Sequence, residues 1–399
     1  MADRVLSSSK VDDNESWTIE PYQAWIFNDM QGGVVSTRIA SEDSMAGNVE
    51  YITQFVKRLI YSRRQLLSLV PAKMIRSKRP NMKLIKASKG GECFLTCLGI
   101  DLDRIIDKYP DIGKHNRYFG LFYDAVMCEV AFENATASLA KVARLEWLSF
   151  DDKNLLPDRA LALFVDYSNE AIEQIRQEGN SDAFKDWQAA IERQPKENEG
   201  RLLSLIDAAL SVNHHLLVLR FDLGYSQFYC DPELSGGMAV SYEEMREHRV
   251  ALRRFLKRDL KKRLLPRACK GMVFAVKMEF GLDKTFHFHV IVILNGDVVC
   301  KDVLITEMIC DQWNRVITTG KGGACNCNSK QYRLKGIGSV RRKDAEKLNI
   351  LKTVVAPYIT KPDYYSKMVK PDGHRTFWPS HPPQIEAKPK GRKRESEGL

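Results

Sequence analysis

The stretch KTFHFHVIVILNGD, residues 284–297, sets two histidines one residue apart at the start of a long apolar run. Its branched and aromatic residues predict a β-strand. Alternate side chains of a strand share a face, so His287 and His289 are expected to point one way and Phe288 the other. The pair is either polar residues with satisfied hydrogen bonds at a sheet edge or two ligands of one metal ion. The motif by itself favours the first interpretation.

Neighbouring segments predict the sheet to which this strand belongs. The run GMVFAVKMEFG, residues 271–281, is joined to the histidine strand by LDKT, which predicts a hairpin and brings Glu279 beside the histidines. HHLLVLRFDLGY (residues 214–225) and YRLKGIGSVRR (residues 332–342) predict two more strands. With the helical patterns between them, the order β-α-β-β-α-β-α predicts an α+β fold, in which helices pack on one face of an antiparallel sheet.

The chain divides by texture into three parts. Residues 1–200 show mostly helical periodicity and predict a mainly helical region of unknown role. The polar run RQPKENEGR, residues 193–201, predicts a linker to a second domain at residues 201–383. The charged tail, residues 384–399, predicts disorder.

The positive charge of the protein is concentrated in one segment. Of a net charge of +10, residues 246–270 carry +9, from eleven Lys or Arg and two acids. Such clustering predicts a polyanion partner, most simply nucleic acid, although a solvated helix face has the same pattern. Two shorter motifs, the glycine-rich loop TTGKGG and the run VRRK, add basic residues. The residues expected to contact a DNA backbone are Arg253, Arg254, Lys257, Arg258, Lys321, Arg341 and Arg342.

The sequence also predicts where the protein resides. No apolar run reaches the length of a membrane span, and the polar start MADRVLSSSKVDDNES lacks the apolar region of a signal peptide. The nine cysteines form no regular framework, which predicts reduced thiols. We therefore expect a cytoplasmic protein without a membrane partner.

The segment APYITKPDYYSKM contains two candidate nucleophiles. Tyr358 and Lys361 are three residues apart and share a face if the segment is helical. A tyrosine can attack phosphorus to give a phosphotyrosine, and a nearby lysine can offset the charge of its phenolate. However, Pro362 biases Lys361 away from helical geometry, and a helix starting at this proline would align Tyr364 with a later lysine. Ordinary packing is the alternative role for Tyr358.

His-hydrophobic-His followed by Tyr-x-x-Lys is similar to the signature of the HUH endonucleases, which nick single-stranded DNA. Residues 210–383 more specifically resemble the YagK/YfjJ-type prophage proteins, related to inovirus replication proteins, in MEFG, FHFHVIVILNG, WNRVITTGKGG, GIGSV, APYITK and HRTFWPS. The resemblance implies an RRM-like sheet of HUH type presenting the histidine pair, with Mg²⁺ or Mn²⁺ held by His287, His289 and Glu279. It favours Tyr358 as the nucleophile and leaves Tyr364 as a second one.

The same resemblance implies a rolling-circle type replication initiator of a phage, prophage or mobile element. Such an enzyme nicks and joins single-stranded or origin DNA through a 5′-phosphotyrosine, and a host helicase or polymerase would be a further partner. A non-catalytic DNA-binding regulator on the same scaffold is the alternative. A primase-like activity would need paired carboxylates, and the candidates Asp101 and Asp103 stand at a predicted helix start, where capping is expected.

Overall fold

The computed structural model describes residues 17, 23–26, 36–39, 45–71, 83–132, 135–144, 158–230 and 235–383. The predicted disordered tail lies outside them. The helices are α1 Met45–Leu59, α2 Lys89–Leu98, α3 Leu102–Lys108, α4 Ile112–His115, α5 Arg117–Met127, α6 Leu139–Arg144, α7 Asp158–Gly179, α8 Asp182–Val212, α9 Tyr242–Arg254, α10 Leu260–Arg263, α11 Asp302–Asp311, α12 Ala345–Ile350, α13 Ala356–Thr360 and α14 Ser366–Val369. The strands are β1 Gln23–Ile26, β2 Ser36–Ile39, β3 Leu67–Pro71, β4 Lys83–Ala87, β5 Glu129–Phe132, β6 Ala135–Ser138, β7 His215–Tyr225, β8 Val273–Gly281, β9 Thr285–Asn295, β10 Gly322–Asn326, β11 Gly338–Arg341 and β12 Phe377–Pro379.

Short segments of tighter or wider helix connect several of these elements. One-turn π-helical segments follow α9, α11 and α12, at Phe255–Asp259, Gln312–Ile317 and Leu351–Val355. The first leads directly into α10 and the third directly into α13. Short 3₁₀ turns lie at Gln227–Tyr229, Pro266–Cys269 and Cys327–Ser329.

The described N-terminal elements enclose a core of their own. Aromatic residues of α1, α2 and α5 meet there, with Phe55, Phe94 and Phe122 fully buried and their ring centroids 6.0–6.2 Å apart. Helix α7 packs against α5, and two-stranded sheets (β1–β2, β3–β4 and β5–β6) complete the region. No helix in the described part of the chain is both long and apolar enough to cross a membrane.

The predicted linker at residues 193–201 is wrong, because these residues lie within α8. The first part of this helix buries Phe184 in the N-terminal core, whereas its last part buries Leu205 and Ile206 against the large sheet. Most of the polar run between them is exposed helix surface, with ion pairs four residues apart such as Lys196 with Glu192, and Asn198 is its one buried residue. Polarity therefore marked a solvated stretch of helix, and the division at residues 200 and 201 falls inside it.

Six strands of the C-terminal half form an antiparallel sheet, which makes the protein α+β. The strands follow the order β10-β7-β9-β8-β12, and β11 pairs with the other half of β7. The predicted hairpin is present, since β8 and β9 pair along their whole length around a short turn. Two boundaries differ from the prediction. Strand β10 begins with the last two glycines of TTGKGG, and only Gly338–Arg341 of the last predicted strand forms a strand.

Helices cover both faces of this sheet, which corrects the prediction that they pack on one. On one face, α9, α10 and α11 pack against alternate strand residues that include Phe221 and Phe288. On the other face, α8 and the helical segment around α13 cover Leu216, Val218 and Ile293. The physical reason is visible in β7, all 11 residues of which are buried, so that both of its sides need a covering layer.

The N-terminal region contacts the sheet beside the β8–β9 turn. Leu282, in this turn, is buried in the N-terminal core, and its carbonyl accepts a hydrogen bond from the Tyr109 hydroxyl at 2.9 Å. Asn116 donates to the Tyr365 hydroxyl at 3.0 Å. The two halves of the chain therefore share contacts next to the histidine strand.

Candidate active site

Three neighbouring strands change from aliphatic to charged residues at the same level. The change occurs on the face covered by α8 and α13, and antiparallel pairing sets Asp222 opposite His289 and Glu279 opposite His287. Along β7 the sequence of residues on this face is Leu216, Val218, Arg220, Asp222; along β8 it is Val273, Ala275, Lys277, Glu279; along β9 it is Ile293, Ile291, His289, His287. The helices cover the aliphatic half, and the charged half forms the candidate site.

The two histidines and the glutamate form a compact group of possible metal ligands. The Oε2 atom of Glu279 lies 3.2 Å from Nε2 of His289 and 3.5 Å from Nε2 of His287. One ligand atom from each of the three residues falls within 4.8 Å of the others. His289 Nε2 and Glu279 Oε1 are buried without a hydrogen bond, which is costly unless another group satisfies them. A divalent cation fits this set of two imidazole nitrogens and one carboxylate.

The Nδ1 atoms of both histidines lie against oxygen acceptors. Nδ1 of His289 lies 2.6 Å from a carboxylate oxygen of Asp222, and Nδ1 of His287 lies 3.2 Å from the carbonyl oxygen of Thr285. Because a carboxylate and a carbonyl only accept, each Nδ1 carries the proton. Each Nε2 therefore faces Oε2 of Glu279 in the shared space, and it is the nitrogen that can bind a metal once any proton on it is displaced.

The charges in this group determine which forms of the acids are present. Burial opposes ionisation of Glu279, but Lys361 and the two histidines outweigh it and hold its pKa well below its usual range. Burial likewise opposes ionisation of Asp222, and His289 with Arg220 lowers its pKa despite this. Burial lowers the pKa of His287, whereas the two carboxylates raise that of His289 above its ordinary value in spite of burial. Both acids are therefore carboxylates at neutral pH.

Tyr358, in α13, extends over this group. Its ring centroid lies 5.3 Å from that of His289, the guanidinium of Arg220 lies 4.2 Å from the ring centroid, and the ammonium of Lys361 lies 4.8 Å from it. The side chain of Tyr358 remains 38% exposed, so a substrate can reach it. Lys361 also lies 3.3 Å from Oε2 of Glu279. The predicted tyrosine and lysine thus meet the predicted ligands at one place.

Tyr358 and Lys361 meet without sharing a helix. Helix α13 ends at Thr360, and Lys361, directly before Pro362, is extended at φ −49° and ψ 156°. Asp363 fixes the following segment, since its carboxylate accepts from the backbone N–H of Phe280 in β8 at 3.2 Å and from two N–H groups at the start of α14. No helix starts at the proline, so the alternative in which such a helix aligns Tyr364 with a later lysine does not hold.

The surroundings of Tyr358 act on its phenol in opposite directions. Burial raises its pKa above the ordinary value, and Asp222 and Glu279 add to the increase. Lys361 and Arg220 favour the phenolate and partly offset the increase. Further positive charge near the ring would make the tyrosine a better nucleophile.

Tyr364 is not brought to this group. Its ring stacks on Trp187 at 6.3 Å and meets Tyr118 edge-on at 6.3 Å, and the ammonium of Lys57 lies 5.4 Å from its centroid. These partners belong to the N-terminal region. The geometry therefore distinguishes the two candidate tyrosines, because only Tyr358 contacts the histidine strand.

Four charged residues at the site were missed by the sequence analysis. Arg220 and Asp222 come from β7, Lys277 comes from β8, and Lys284 comes from the β8–β9 turn. Burial lowers the pKa of Lys284 to about 8; Asp222 opposes this effect, while Lys361 adds to it. The signal for the first two was the alternation of polar residues at the end of the apolar run LLVLRFDLGY, which marks one face of a strand.

The predicted DNA-contacting residues lie away from the histidine pair. Arg254, Lys257 and Arg258 are exposed, and Arg253 is half-buried, on the helical segment that packs against the opposite face of the sheet. Lys321 is paired with Glu244 of α9 at 2.6 Å.

Arg341 and Arg342 lie by the start of β7, where Arg341 pairs with His215. Arg342 donates from its side chain to the carbonyl of Leu210 in α8. The start of β7 is seven residues, or about 23 Å along a strand, from Asp222.

The predicted capping role of the Asp-x-Asp motif is confirmed. Asp101 accepts from the backbone N–H of Arg104 at the start of α3, and Arg144 binds both Asp101 and Asp103 at 2.6 and 2.9 Å. Comparison with known proteins adds no relative to these observations: no family model, no curated protein and no solved structure matches the chain.

Proposed function

We propose that the protein is a metal-dependent endonuclease that nicks and joins single-stranded DNA through Tyr358. The observation that carries the proposal is the position of this partly exposed ring beside His289, Arg220 and Lys361, directly at the group of possible metal ligands. Ordinary packing would account for a buried tyrosine ring at this position. It does not account for the location of the ring beside buried ligand atoms that lack hydrogen bonds.

His287, His289 and Glu279 would hold the metal. Imidazole ligands favour Mn²⁺ over Mg²⁺, which prefers oxygen donors, although both remain candidates for a site that contains a carboxylate. A divalent cation held there would polarise the scissile phosphate and offset negative charge in the transition state. Asp222 and the Thr285 carbonyl hold the two imidazoles in place through their Nδ1 atoms.

The chain's own residues account for the transfer step. The phenol of Tyr358 loses its proton to solvent, and its oxygen attacks the phosphorus. The tyrosine–phosphorus bond forms as the bond to the preceding 3′-oxygen breaks, and the departing oxygen takes a proton from water. The products are a 5′-phosphotyrosine and a free 3′-hydroxyl, and reversal of the step joins the strand. Lys361 and Arg220 supply the positive charge that favours the phenolate.

The topology of the sheet supports an RRM-like scaffold for this activity. Along the chain, β7, α9, β8, β9, α11 and β10 follow the order β-α-β-β-α-β, and in the sheet the fourth of these strands lies next to the first, then the third and the second. This is the split βαβ arrangement. Together with the HUH-like motifs, it favours the rolling-circle type initiator over a primase, because the two carboxylates of the site, Asp222 and Glu279, lie on opposite ring nitrogens of His289 instead of forming a direct pair.

The proposal is tested by an adduct assay. The full chain is incubated with long single-stranded DNA and Mn²⁺, and covalent protein–DNA complexes are separated in denaturing gels. We expect the wild type and Tyr364→Phe to form the adduct and Tyr358→Phe to form none. An adduct with Tyr358→Phe would assign the nucleophile to another residue.

The alternative, a non-catalytic DNA-binding regulator, predicts a different outcome from the same assay. In that case the wild type forms no adduct with Mn²⁺ or Mg²⁺, and it binds DNA equally well with and without metal. His287→Ala would then leave DNA binding unchanged, whereas the endonuclease requires this residue for the adduct.

A further inference from the structure

A strongly basic surface lies on the side of the sheet that the candidate active site does not use. Between residues 253 and 270 there are nine Lys or Arg and a single acid, Asp259. The helical segment that begins there turns Phe255, Leu256 and Leu260 into the core under the sheet. These three apolar contacts fix which side of the segment faces solvent.

Four basic residues form a stripe on that outer side. They stand three or four positions apart, so one helical face carries them all, and each is exposed. No acidic partner pairs with any of them within the described residues. The members of this basic stripe are Arg254, Lys257, Arg258 and Lys261. By contrast, Lys262 faces Asp259 at 3.7 Å, and Arg263 donates to Gln312 at 2.8 Å.

The basic stripe offers positive charge but no aromatic surface on which bases could stack. The only aromatic residue between Arg254 and Lys261 is Phe255, and it is buried. Proteins that bind single strands without sequence preference combine basic grooves with aromatic platforms, whereas binding to duplex DNA is dominated by contacts to regularly spaced phosphates. Eight helical residues extend about 10 Å, which matches about three phosphates along one strand of a duplex.

We infer that this basic stripe binds the phosphate backbone of duplex DNA, while the opposite face of the sheet handles the single strand. The inference takes DNA as the ligand from the proposed function but does not depend on a nick. An initiator that acts on an unwound strand requires flanking duplex to stay in reach, and two faces of one sheet would hold the two forms of DNA separately.

The test compares two variants with equal charge. In the stripe variant, Arg254, Lys257, Arg258 and Lys261 are each replaced by Gln. In the control variant, four exposed basic residues of the N-terminal region, Lys108, Lys114, Lys185 and Arg193, are replaced by Gln. Fluorescence anisotropy measures binding of a labelled blunt duplex over a series of salt concentrations, and the adduct assay measures action on single-stranded DNA.

We expect the stripe variant alone to lose at least about tenfold in duplex affinity, with a salt dependence shallower by about 2 to 3 in log–log slope, because about three phosphate contacts disappear. Its adduct formation on single-stranded DNA should stay within about threefold of wild type. Equal losses in the two variants would overturn the inference, as would parallel loss of adduct formation, or wild-type binding to anionic vesicles without binding to duplex DNA. If Tyr358→Phe still forms the adduct while the stripe variant loses duplex binding, only the assigned nucleophile fails.

Discussion

The two faces of strand β9 have different surroundings at three consecutive residues. Phe288 points into an apolar core, where it is fully buried and its ring centroid lies 5.6 Å from that of Trp313. His287 and His289 point to the other face, where charged groups and buried atoms without hydrogen bonds collect. One face is satisfied by packing alone, whereas on the other, two buried polar atoms, His289 Nε2 and Glu279 Oε1, lack hydrogen bonds. The contrast shows that a rigid strand can give stability through one side and chemistry through the other.

The largest effect that tests this comparison is on the packed side. Phe288→Ala should lower the free energy of unfolding by about 3–5 kcal/mol, since it leaves a large cavity in a closed core. Urea denaturation measures the loss, and Phe228→Ala is the control, because that ring is 45% exposed and its removal should cost less than about 1 kcal/mol. Under conditions where Phe288→Ala is folded, we expect its Mn²⁺ affinity to be that of the wild type. A stable variant that fails to bind metal would remove the distinction between the faces.

A smaller effect is expected on the ligand side. Asp222→Asn should weaken Mn²⁺ binding about 10- to 100-fold, because the amide no longer fixes the proton of His289 on Nδ1 or adds charge to the ring. Isothermal titration calorimetry measures this affinity without any DNA. Asp297→Asn is the matched control, since Asp297 faces Nδ1 of His215 at 3.2 Å at the far end of the sheet. Equal affinities in the two variants would show that Asp222 does not position a ligand.

The smallest effect concerns acid stability of the same face. The pKa of Asp222 is lowered in the folded protein, so below its unfolded value near 4 the unfolded chain binds more protons than the folded one. Stability from this group is thus complete above that value and is lost as pH falls. We therefore compare how far the free energy of unfolding falls from pH 5 to pH 3 in the presence of EDTA. This fall should be about 1 kcal/mol smaller for Asp222→Asn than for the wild type. Parallel urea denaturation curves at the two pH values measure the difference, and identical losses would contradict the assignment.

The sequence specified the parts of the site that depend on local pattern. Alternation in FHFHVIVIL places His287 and His289 on one side of a strand, and the short LDKT connection places Glu279 on the neighbouring strand. The α+β class followed from the same periodicities. The predicted linker failed because a solvated helix surface is as polar as a loop, and β10 was missed because glycine and cysteine give little strand signal.

The remaining features depended on contacts between residues far apart in the chain. Strand register brings Asp222 and Arg220 to the histidines, and the extended backbone at Lys361 returns its ammonium to Glu279 after the helix of Tyr358 has ended. Packing on both sides of β7 likewise determines which face of the sheet each helix covers. The basic segment lies opposite the site because its apolar residues pack on the other face. Periodicity determines which residues of one element share a side, because it is a local property of the backbone. Only tertiary packing decides which sides meet, because that depends on burial summed over the whole sheet.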